Sequence, residues 1–576
     1  MCGIFALLNN DDSFDKKFIE TQFKKGEKRG PEFSSLEKYE NNVILGFHRL
    51  AINGLNNESN QPIIINNVMI VCNGEIYNYK ELYKIMNVIP TTDSDCEIII
   101  HLYIKYGMKQ TLQMLDGVFA FVLYDQRNYN ENAKIYIVRD PYGVRPLYIL
   151  KSNSKTNPDY IYGIASELKV LTCFNNKLHN CTINHVNPGS YSKLIMNSSI
   201  KVTKWNLVVE NKKYFSHGFN RILDETILSF DYKLSVYKNI QSYLYSAVKK
   251  RTIVTERPVA CLLSGGLDSS LITALVNEIN KDLGLGPIET YSIGLAGSED
   301  LKYARIVADY LGTNHNEIVV SESDFINAIP EVIYAIESYD TTTVRASIGN
   351  YLLGKYIAAH SEAKVIFNGD GSDELCGGYL YMHACPDEIE FDKETRRLLK
   401  NIYAFDVLRS DKSISSHGLE PRTPFLDRSW VQYYLSIPGI LRFHPGNKEC
   451  EKFLLRTAFS EEYYKNSNGH ALLPDCILWR TKEAFSDGVS NLTKSLYQII
   501  QEGIPEFVYN ENSINSSHNK PDTPEKKYYR MLFNEYYKKM DHIVPYFWMP
   551  KYVNSVDASA RTLTIYNKIK EQNKEK

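Results

Sequence analysis

Cys2 stands where removal of the initiator methionine would leave a thiol on the first residue of the chain. A terminal α-amine has an ordinary pKa of about 7.7–8.0, so thiol and amine of that one residue form a nucleophile carrying its own base. Asn73 and Gly74, in the run Asn73-Gly74-Glu75-Ile76-Tyr77-Asn78, offer a side-chain amide and a backbone N–H. Two such donors can hold the oxyanion of a tetrahedral intermediate. Taken alone, Asn73-Gly74 reads first as a strand-ending turn. Arg49 supplies a planar cation suited to a carboxylate, and Glu75 and Asp95 supply anions for an ammonium group. Thiol for a carbonyl carbon, cation for a carboxylate and anion for an ammonium describe an α-amino acid amide as substrate.

A second constellation lies in Ser264-Gly265-Gly266-Leu267-Asp268-Ser269-Ser270, between the apolar run Val259 to Leu263 and the apolar run Leu271 to Val276. The first run reads as a buried strand and the second as a helix. Consecutive glycines let backbone approach a ligand closely, and the free N–H groups of a helix start favour phosphate oxygens. The plainer alternative is a tight strand-to-helix turn capped by Asp268 or Ser269. Asp268 repels phosphate unless a cation lies between them, and Mg2+ is the natural mediator. The loop lacks the lysine of the Walker pattern, which argues against ordinary γ-phosphate transfer.

The elements that must position these residues divide the chain. At 576 residues it is too long for a single core. From Cys2 to about Tyr191, strand-like pieces at Val43 to Phe47, Val68 to Cys72, Phe119 to Tyr124, Ile135 to Val138 and Tyr160 to Ile164 predict layered mixed sheets with helices such as Cys96 to Tyr103. After a less patterned stretch, strand-like runs at Val259 to Leu263, Thr290 to Gly294, Glu317 to Val320 and Lys364 to Phe367 alternate with helical runs. That alternation predicts a parallel sheet covered by helices, with ligands at the carboxyl ends of its strands. The expected boundaries are 2–191, a connection over 192–235, a second domain over 236–557 and a tail over 558–576. Tyr509 to Glu525 reads as a polar surface loop, and Asn567 to Lys576 as a solvated lysine-rich end.

Composition narrows the partners. Hydrophobic residues make up 43% and the formal net charge is -2, which gives no electrostatic reason to expect nucleic acid or an acidic membrane surface. No apolar run reaches spanning length and the start lacks a secretory pattern, so a cytoplasmic protein is expected. Ten cysteines are scattered singly, without metal-ligand spacing or the density of a disulfide scaffold.

The series Cys2-Gly3-Ile4-Phe5, Arg29-Gly30-Pro31, His48-Arg49-Leu50, Asn73 to Asn78, Ser94-Asp95-Cys96-Glu97, Arg139-Asp140 and Ala165-Ser166-Glu167 resembles the class II glutamine amidotransferase domain. Ser264 to Ser270 resembles the pyrophosphatase loop of ATP-pyrophosphatase enzymes. Together they are similar to the glutamine-hydrolysing asparagine synthetases over nearly the whole chain. The resemblance implies an α/β and α+β protein: an N-terminal-nucleophile αββα sandwich followed by a doubly wound parallel-sheet ATP-pyrophosphatase domain. It implies asparagine formation from aspartate, glutamine and ATP through β-aspartyl-AMP and channelled ammonia, with Mg2+, and by analogy a homodimer.

The resemblance also implies residue roles. Cys2 is the nucleophile and Asn73 with the Gly74 N–H its oxyanion donors, while Arg49, Leu50, Ala51, Ile52, Asn53, Glu75 and Asp95 hold glutamine. Leu262 and Ile293 border adenine; Ser264, Gly265, Gly266, Asp268, Ser269, Ser270, Asn368 and Gly369 surround the nucleotide; Asp268 and Asp373 share the metal. Arg345 is the candidate for a substrate carboxylate or phosphate, and Lys482 for charge on the adenylate or pyrophosphate. One departure stands out: Asp370 occupies the place of a family glutamate tied to adenylate chemistry. Its oxygens sit more than about an ångström short, on the scale of misplacements that cost about 100-fold. Asp370 is the feature favouring a catalytically impaired relative with a binding or regulatory role. A β-lactam synthetase-like enzyme is the other alternative, and Cys2 argues against it.

Overall fold

The structure is a computed structural model describing the chain except residues 128–132, 153–159, 179–180, 200–201, 219–228, 448–449, 484–487, 491–494, 506–517 and 567–576. The lysine-rich end and the first half of the expected 509–525 loop lie outside the described residues. So do residues 200–201 and 219–228 of the expected connection.

Two antiparallel six-stranded sheets build the N-terminal part. One runs Cys181–His185, Tyr148–Ser152, Tyr162–Ala165, Gly3–Leu8, Val43–Arg49, Phe33–Tyr39; the other runs Val202–Lys213, Ser190–Ser199, Lys134–Arg139, Gly117–Asp125, Val68–Ile76, Ile63–Ile65. Alternation along each strand sends one set of side chains inward. Ile4, Ala6, Leu8, Leu45 and Phe47 meet Val71, Ala120, Val122 and Ile137 between the sheets. The opposite set, Phe5 and Leu7 on one sheet and Ile70, Cys72 and Phe121 on the other, packs under the helices Lys16–Phe23 and Leu168–Lys177, and Ile98–Met114. This is the expected αββα sandwich.

The stretch expected to be a connection over 192–235 is in part sheet. Val202–Lys213 pairs antiparallel with Ser190–Ser199, and Trp205 is buried against the inter-sheet core. It is an edge strand with few apolar positions, so its alternation is weak in the sequence. Likewise the expected loop over 509–525 ends inside the helix Pro524–Tyr536.

The second part carries a parallel sheet ordered Asn314–Val320, Glu289–Leu295, Val259–Leu262, Val365–Phe367, Glu420–Arg422. Counted along this domain, the order is 3-2-1-4-5, doubly wound. Cys261 faces a core with the helices Phe230–Ile253 and Leu267–Asp282; Ala260 and Leu262 face another with Glu322–Ile336 and Thr341–His360. Burial of both faces explains the near-continuous apolar strands. The winding reverses between Val259–Leu262 and Val365–Phe367, where a ligand crevice opens past the strand ends. Glu420–Arg422 escaped the sequence reading because a charged three-residue strand with proline at its centre lacks a strand signature.

Candidate active sites

Gly3–Leu8 begins beside Val43–Arg49, and Cys2 is held just ahead of it. Its backbone N–H donates to Asn73 Oδ1 at 3.2 Å, and Sγ lies 3.7 Å from the Leu50 carbonyl. Asn73 and Gly74 sit inside the strand Val68–Ile76, which removes the turn reading. Asn73 is fully buried, yet its Nδ2 donor has no hydrogen-bond partner. A buried orphan amide is costly unless a ligand oxygen satisfies it. Gly74 is required sterically: a Cβ there would meet the Val118 carbonyl oxygen at 2.6 Å.

Arg49 is buried at 6% exposure, and its partners are neutral oxygens: the Asn56, Asn53 and Gly54 carbonyls and Asn60 Oδ1. Burial holds its pKa below the ordinary value, so an incoming carboxylate would relieve an uncompensated charge. Glu75 and Asp95 are both buried; Asn53 Nδ2 donates to Glu75 at 2.7 Å and the Ile76 N–H to Asp95 at 2.6 Å. Burial pushes Asp95 up to about 6, and burial with the nearby Glu420 and Asp95 charges pushes Glu75 well above the carboxylate range. An ammonium group would reverse both shifts. Burial also raises the Cys2 thiol to about 11 in the chain that retains Met1, whose ammonium is buried 3.6 Å from Glu420. Leu50, Ala51 and Ile52 are buried here too, but the Ala51 N–H is taken by Glu32 at 2.7 Å.

The crevice of the parallel sheet forms the second site. Its cavity is lined by Leu262, Ser264, Gly266, Asp268, Ser269, Ile293, Asn368, Gly369, Asp370, Asp373 and Lys482, among others. Gly265 and Ser270 are not among the lining residues. Gly265 instead takes a φ of +68° against the Tyr303 backbone, and Ser270 is buried within the helix. Gly369 lets two loops touch: a Cβ there would meet the Asp268 backbone carbon at 2.8 Å.

Asp268 and Asp373 come together as expected, joined by two lysines. Lys452 Nζ is 2.6 Å from Asp268 and 2.5 Å from Asp373; Lys482 Nζ is 2.7 Å from Asp373 and 3.6 Å from Asp268. Burial raises the Asp373 carboxyl, but the two ammonium groups outweigh it and hold the group below the ordinary range. Lys452 escaped the sequence reading; its signal is structural, a non-glycine residue at a φ of +58°. Among the described residues no cluster of three or more His, Cys, Asp or Glu side chains assembles a metal cage. Two carboxylates beside the loop Ser264 to Ser270 offer the hard oxygen donors that would suit a magnesium ion.

At the other end of the cavity Arg409 donates to Asp370 at 3.0 Å and to Asp406 at 2.7 Å, and Tyr379 donates to Glu374 at 2.6 Å and Asp406 at 3.1 Å. Asp370 keeps one oxygen, Oδ2, without a partner, and burial raises its pKa. Arg409, Tyr379 and Asp406 were not expected from the sequence, since each lies outside the loops whose patterns stand out.

Arg345 is the clear correction. It does not line the cavity; its guanidinium grips Glu525 (2.8 and 2.5 Å) and Asp557 (2.7 and 2.9 Å) in a buried cluster. A guanidinium with four of its five N–H donors spent on two carboxylates, outside the cavity, is not placed to bind a substrate there. Arg345→Ala should therefore lower stability, by about 3–5 kcal/mol for a broken buried pair, rather than selectively raise one KM. A melting curve beside substrate titrations checks this.

No helix among the described residues is long and apolar enough to cross a membrane. A family model described as asparagine synthase matches residues 239–391 and 385–506, and one described as glutamine amidotransferase domain matches residues 1–206. The curated asparagine synthetases (glutamine-hydrolyzing) of Gallus gallus and Homo sapiens are 40% and 39% identical over 590 and 591 residues, each covering 98% of this chain and 99% of the relative. A solved NMN synthetase from Francisella tularensis aligns at a TM-score of 0.24 and 12% identity over 55% of this chain and 98% of that one, a likeness that carries no argument. With two matched domains in the order of the two sites, and about two residues in five identical over 98% of its length, the chain belongs to the glutamine-hydrolysing asparagine synthetase family.

Proposed function

We propose that this chain is a cytosolic enzyme that makes L-asparagine from L-aspartate, L-glutamine and ATP. The observation carrying this reading is the coexistence of a half-buried thiol beside an orphaned amide donor with a switch-point cavity holding two carboxylates and two lysines. The names of the relatives support it. The glutaminase unit is taken to include Val202–Lys213, and the synthetase unit to begin with the helix Phe230–Ile253.

At the first site Arg49 binds the glutamine α-carboxylate, and Glu75 and Asp95 its ammonium. Cys2 Sγ attacks the side-chain amide carbon. The oxyanion settles on Asn73 Nδ2 and the Gly74 N–H. Removal of Met1 gives Cys2 the amine that carries the thiol proton to the leaving nitrogen; ammonia departs, and water then releases glutamate from the thioester. At the second site a β-carboxylate oxygen of aspartate displaces pyrophosphate from the α-phosphorus of ATP. Lys452 and Lys482 meet the charge gathering on the phosphates. Arg409 takes the part expected of Arg345, and Glu374 with Asp406 receives the aspartate ammonium. Ammonia displaces AMP from β-aspartyl-AMP, giving asparagine. Magnesium, held by Asp268 and Asp373, would neutralise phosphate charge.

Purified chain given aspartate, ATP and magnesium with either glutamine or ammonium should form asparagine and pyrophosphate in equal amounts. No asparagine from either nitrogen source would sink this reading in favour of the impaired-relative alternative. A pH dependence follows from Asp95. Raised to about 6, it is ionised above that pH and neutral below it, so the KM for glutamine should climb as pH falls through about 6. A KM flat from about pH 5 to about pH 7.5 would remove Asp95 from ammonium binding.

A further inference from the structure

The helix Asp406–Ser415 is the element that reaches both sites. Asp406 and Arg409 line the nucleotide cavity, Arg409 holding Asp370 at 3.0 Å, and Ser410 Oγ accepts from Asn368 Nδ2 at 2.7 Å. At 3.6 residues per turn, Asp411 and Ser415 are turned about 120–180° away from Asp406 and Arg409. They enter the N-terminal sandwich. There Asp411 Oδ2 accepts from Arg29 Nη1 at 2.7 Å and Ser415 Oγ from the same nitrogen at 2.8 Å, while Asp411 Oδ1 accepts from Arg145 at 3.3 Å. Arg29 is 2% exposed, and its Nε donates to the carbonyl of Cys2 at 3.1 Å. Glu167, from the sandwich itself, shares Arg29 Nη1 at 2.9 Å.

The carbonyl that orients the nucleophile's backbone is thus held by an arginine clamped between carboxylates of two different domains. We propose that Asp411 is a positioning residue for the glutamine reaction, and that the Asp406–Ser415 helix transmits occupancy of the nucleotide and aspartate cavity to Cys2. The inference rests on the reading of Cys2 as the glutaminase nucleophile. The physical link is direct. A substrate carboxylate that draws Arg409 from Asp370 pulls on a stiff ten-residue helix, and Asp411 and Ser415 move Arg29 with it. The helix can only bias a rate if the two occupancy states hold Arg29 differently, so the coupling must be measurable as a ratio.

The test uses the purified full chain and its Asp411→Asn and Ser415→Ala variants, with glutamate formation measured with and without saturating ATP and aspartate. In Asp411→Asn, kcat for glutamate formation should fall about 100-fold, the effect of a small misplacement at the nucleophile. The KM for glutamine and the ammonium-supported asparagine rate should stay within about threefold. The ratio of the two glutamate rates, away from unity in the parent, should move to unity. Ser415→Ala removes one neutral partner and should act in the same direction by about threefold to tenfold, which keeps the test open if the buried asparagine prevents folding. Unchanged kcat in folded variants would overturn the proposal. So would a parallel loss of the ammonium-supported rate, or a parent ratio of unity. A parent chain that forms no glutamate from glutamine at all would bring down the reading of Cys2 instead.

Discussion

Cys2→Ala should abolish glutamine-supported asparagine formation, a loss on the order of 10,000-fold or more as for other removed nucleophiles, while ammonium-supported formation stays within about twofold. In the proposed reaction the Cys2 sulfur is the atom that becomes bonded to the substrate carbon. Cys96, the thiol that follows Asp95 in sequence, is buried and turned to the Gly74 carbonyl at 3.8 Å. The cavity past the parallel sheet, where ATP is proposed to react, is lined by neither Cys2 nor Asn73. Asn73→Ala should sit between parent and Cys2→Ala, losing about 100- to 1000-fold, because it removes one of two oxyanion donors. An intact-mass measurement belongs to the same experiment. The active chain should be lighter by one methionine residue, since a thiol raised to about 11 beside a peptide nitrogen has no base. Loss of both nitrogen sources in folded Cys2→Ala would show that the two sites are not separable.

Loops and motifs of unusual local composition stood out in the sequence; cations and acids of ordinary local composition did not. Ser264 to Ser270 and Gly369 to Glu374 are glycine-rich because backbones must touch, and Gly369 against Asp268 shows the reason directly. Cys2, Asn73 and Arg49 carry side-chain chemistry that the fold has to bring together, and the strands Gly3–Leu8, Val43–Arg49 and Val68–Ile76 converge at one end of the sandwich. Arg345 shows the limit. An arginine beside threonines near a helix start looks available for an anion in one dimension, but its partners Glu525 and Asp557 are 180 and 212 residues away. Lys452 and Arg409 show the converse. Each is an ordinary cation in its local sequence, and only the third dimension puts it opposite Asp268, Asp373 or Asp370. The strand Glu420–Arg422 was hidden for a similar reason, since its charges serve the domain interface: Arg422 lies 3.5 Å from Glu75, and Glu420 3.6 Å from the terminal ammonium.

Asp370→Asn should lower asparagine formation from glutamine and from ammonium alike, by about 100- to 1000-fold, the range for loss of one group that transfers a proton or stabilises transition-state charge. Glutamate formation should remain. Asp370 sits on the loop that touches Asp268, with its N–H on Asn368 Oδ1 at 3.2 Å and one oxygen on Arg409 at 3.0 Å. The other oxygen has no protein partner, and burial makes the carboxyl a stronger proton acceptor than usual. When ammonia attacks the adenylate carbonyl, the nitrogen becomes positive and must shed a proton; a carboxylate with one anchored and one unengaged oxygen suits that task, and an amide does not. Asp370→Glu separates charge from reach. Arg409 and Asn368 are already fitted to the shorter side chain, so the added methylene should cost activity, by about threefold to tenfold for slight misplacement, rather than raise it toward a better-placed acid. An Asp370→Glu chain several-fold faster than the parent would mean that the shorter acid is the defect it resembles in the sequence. A parent-like Asp370→Asn chain would take the acid out of the reaction altogether, leaving Glu374 and Asp406 as the carboxylates of that end of the cavity.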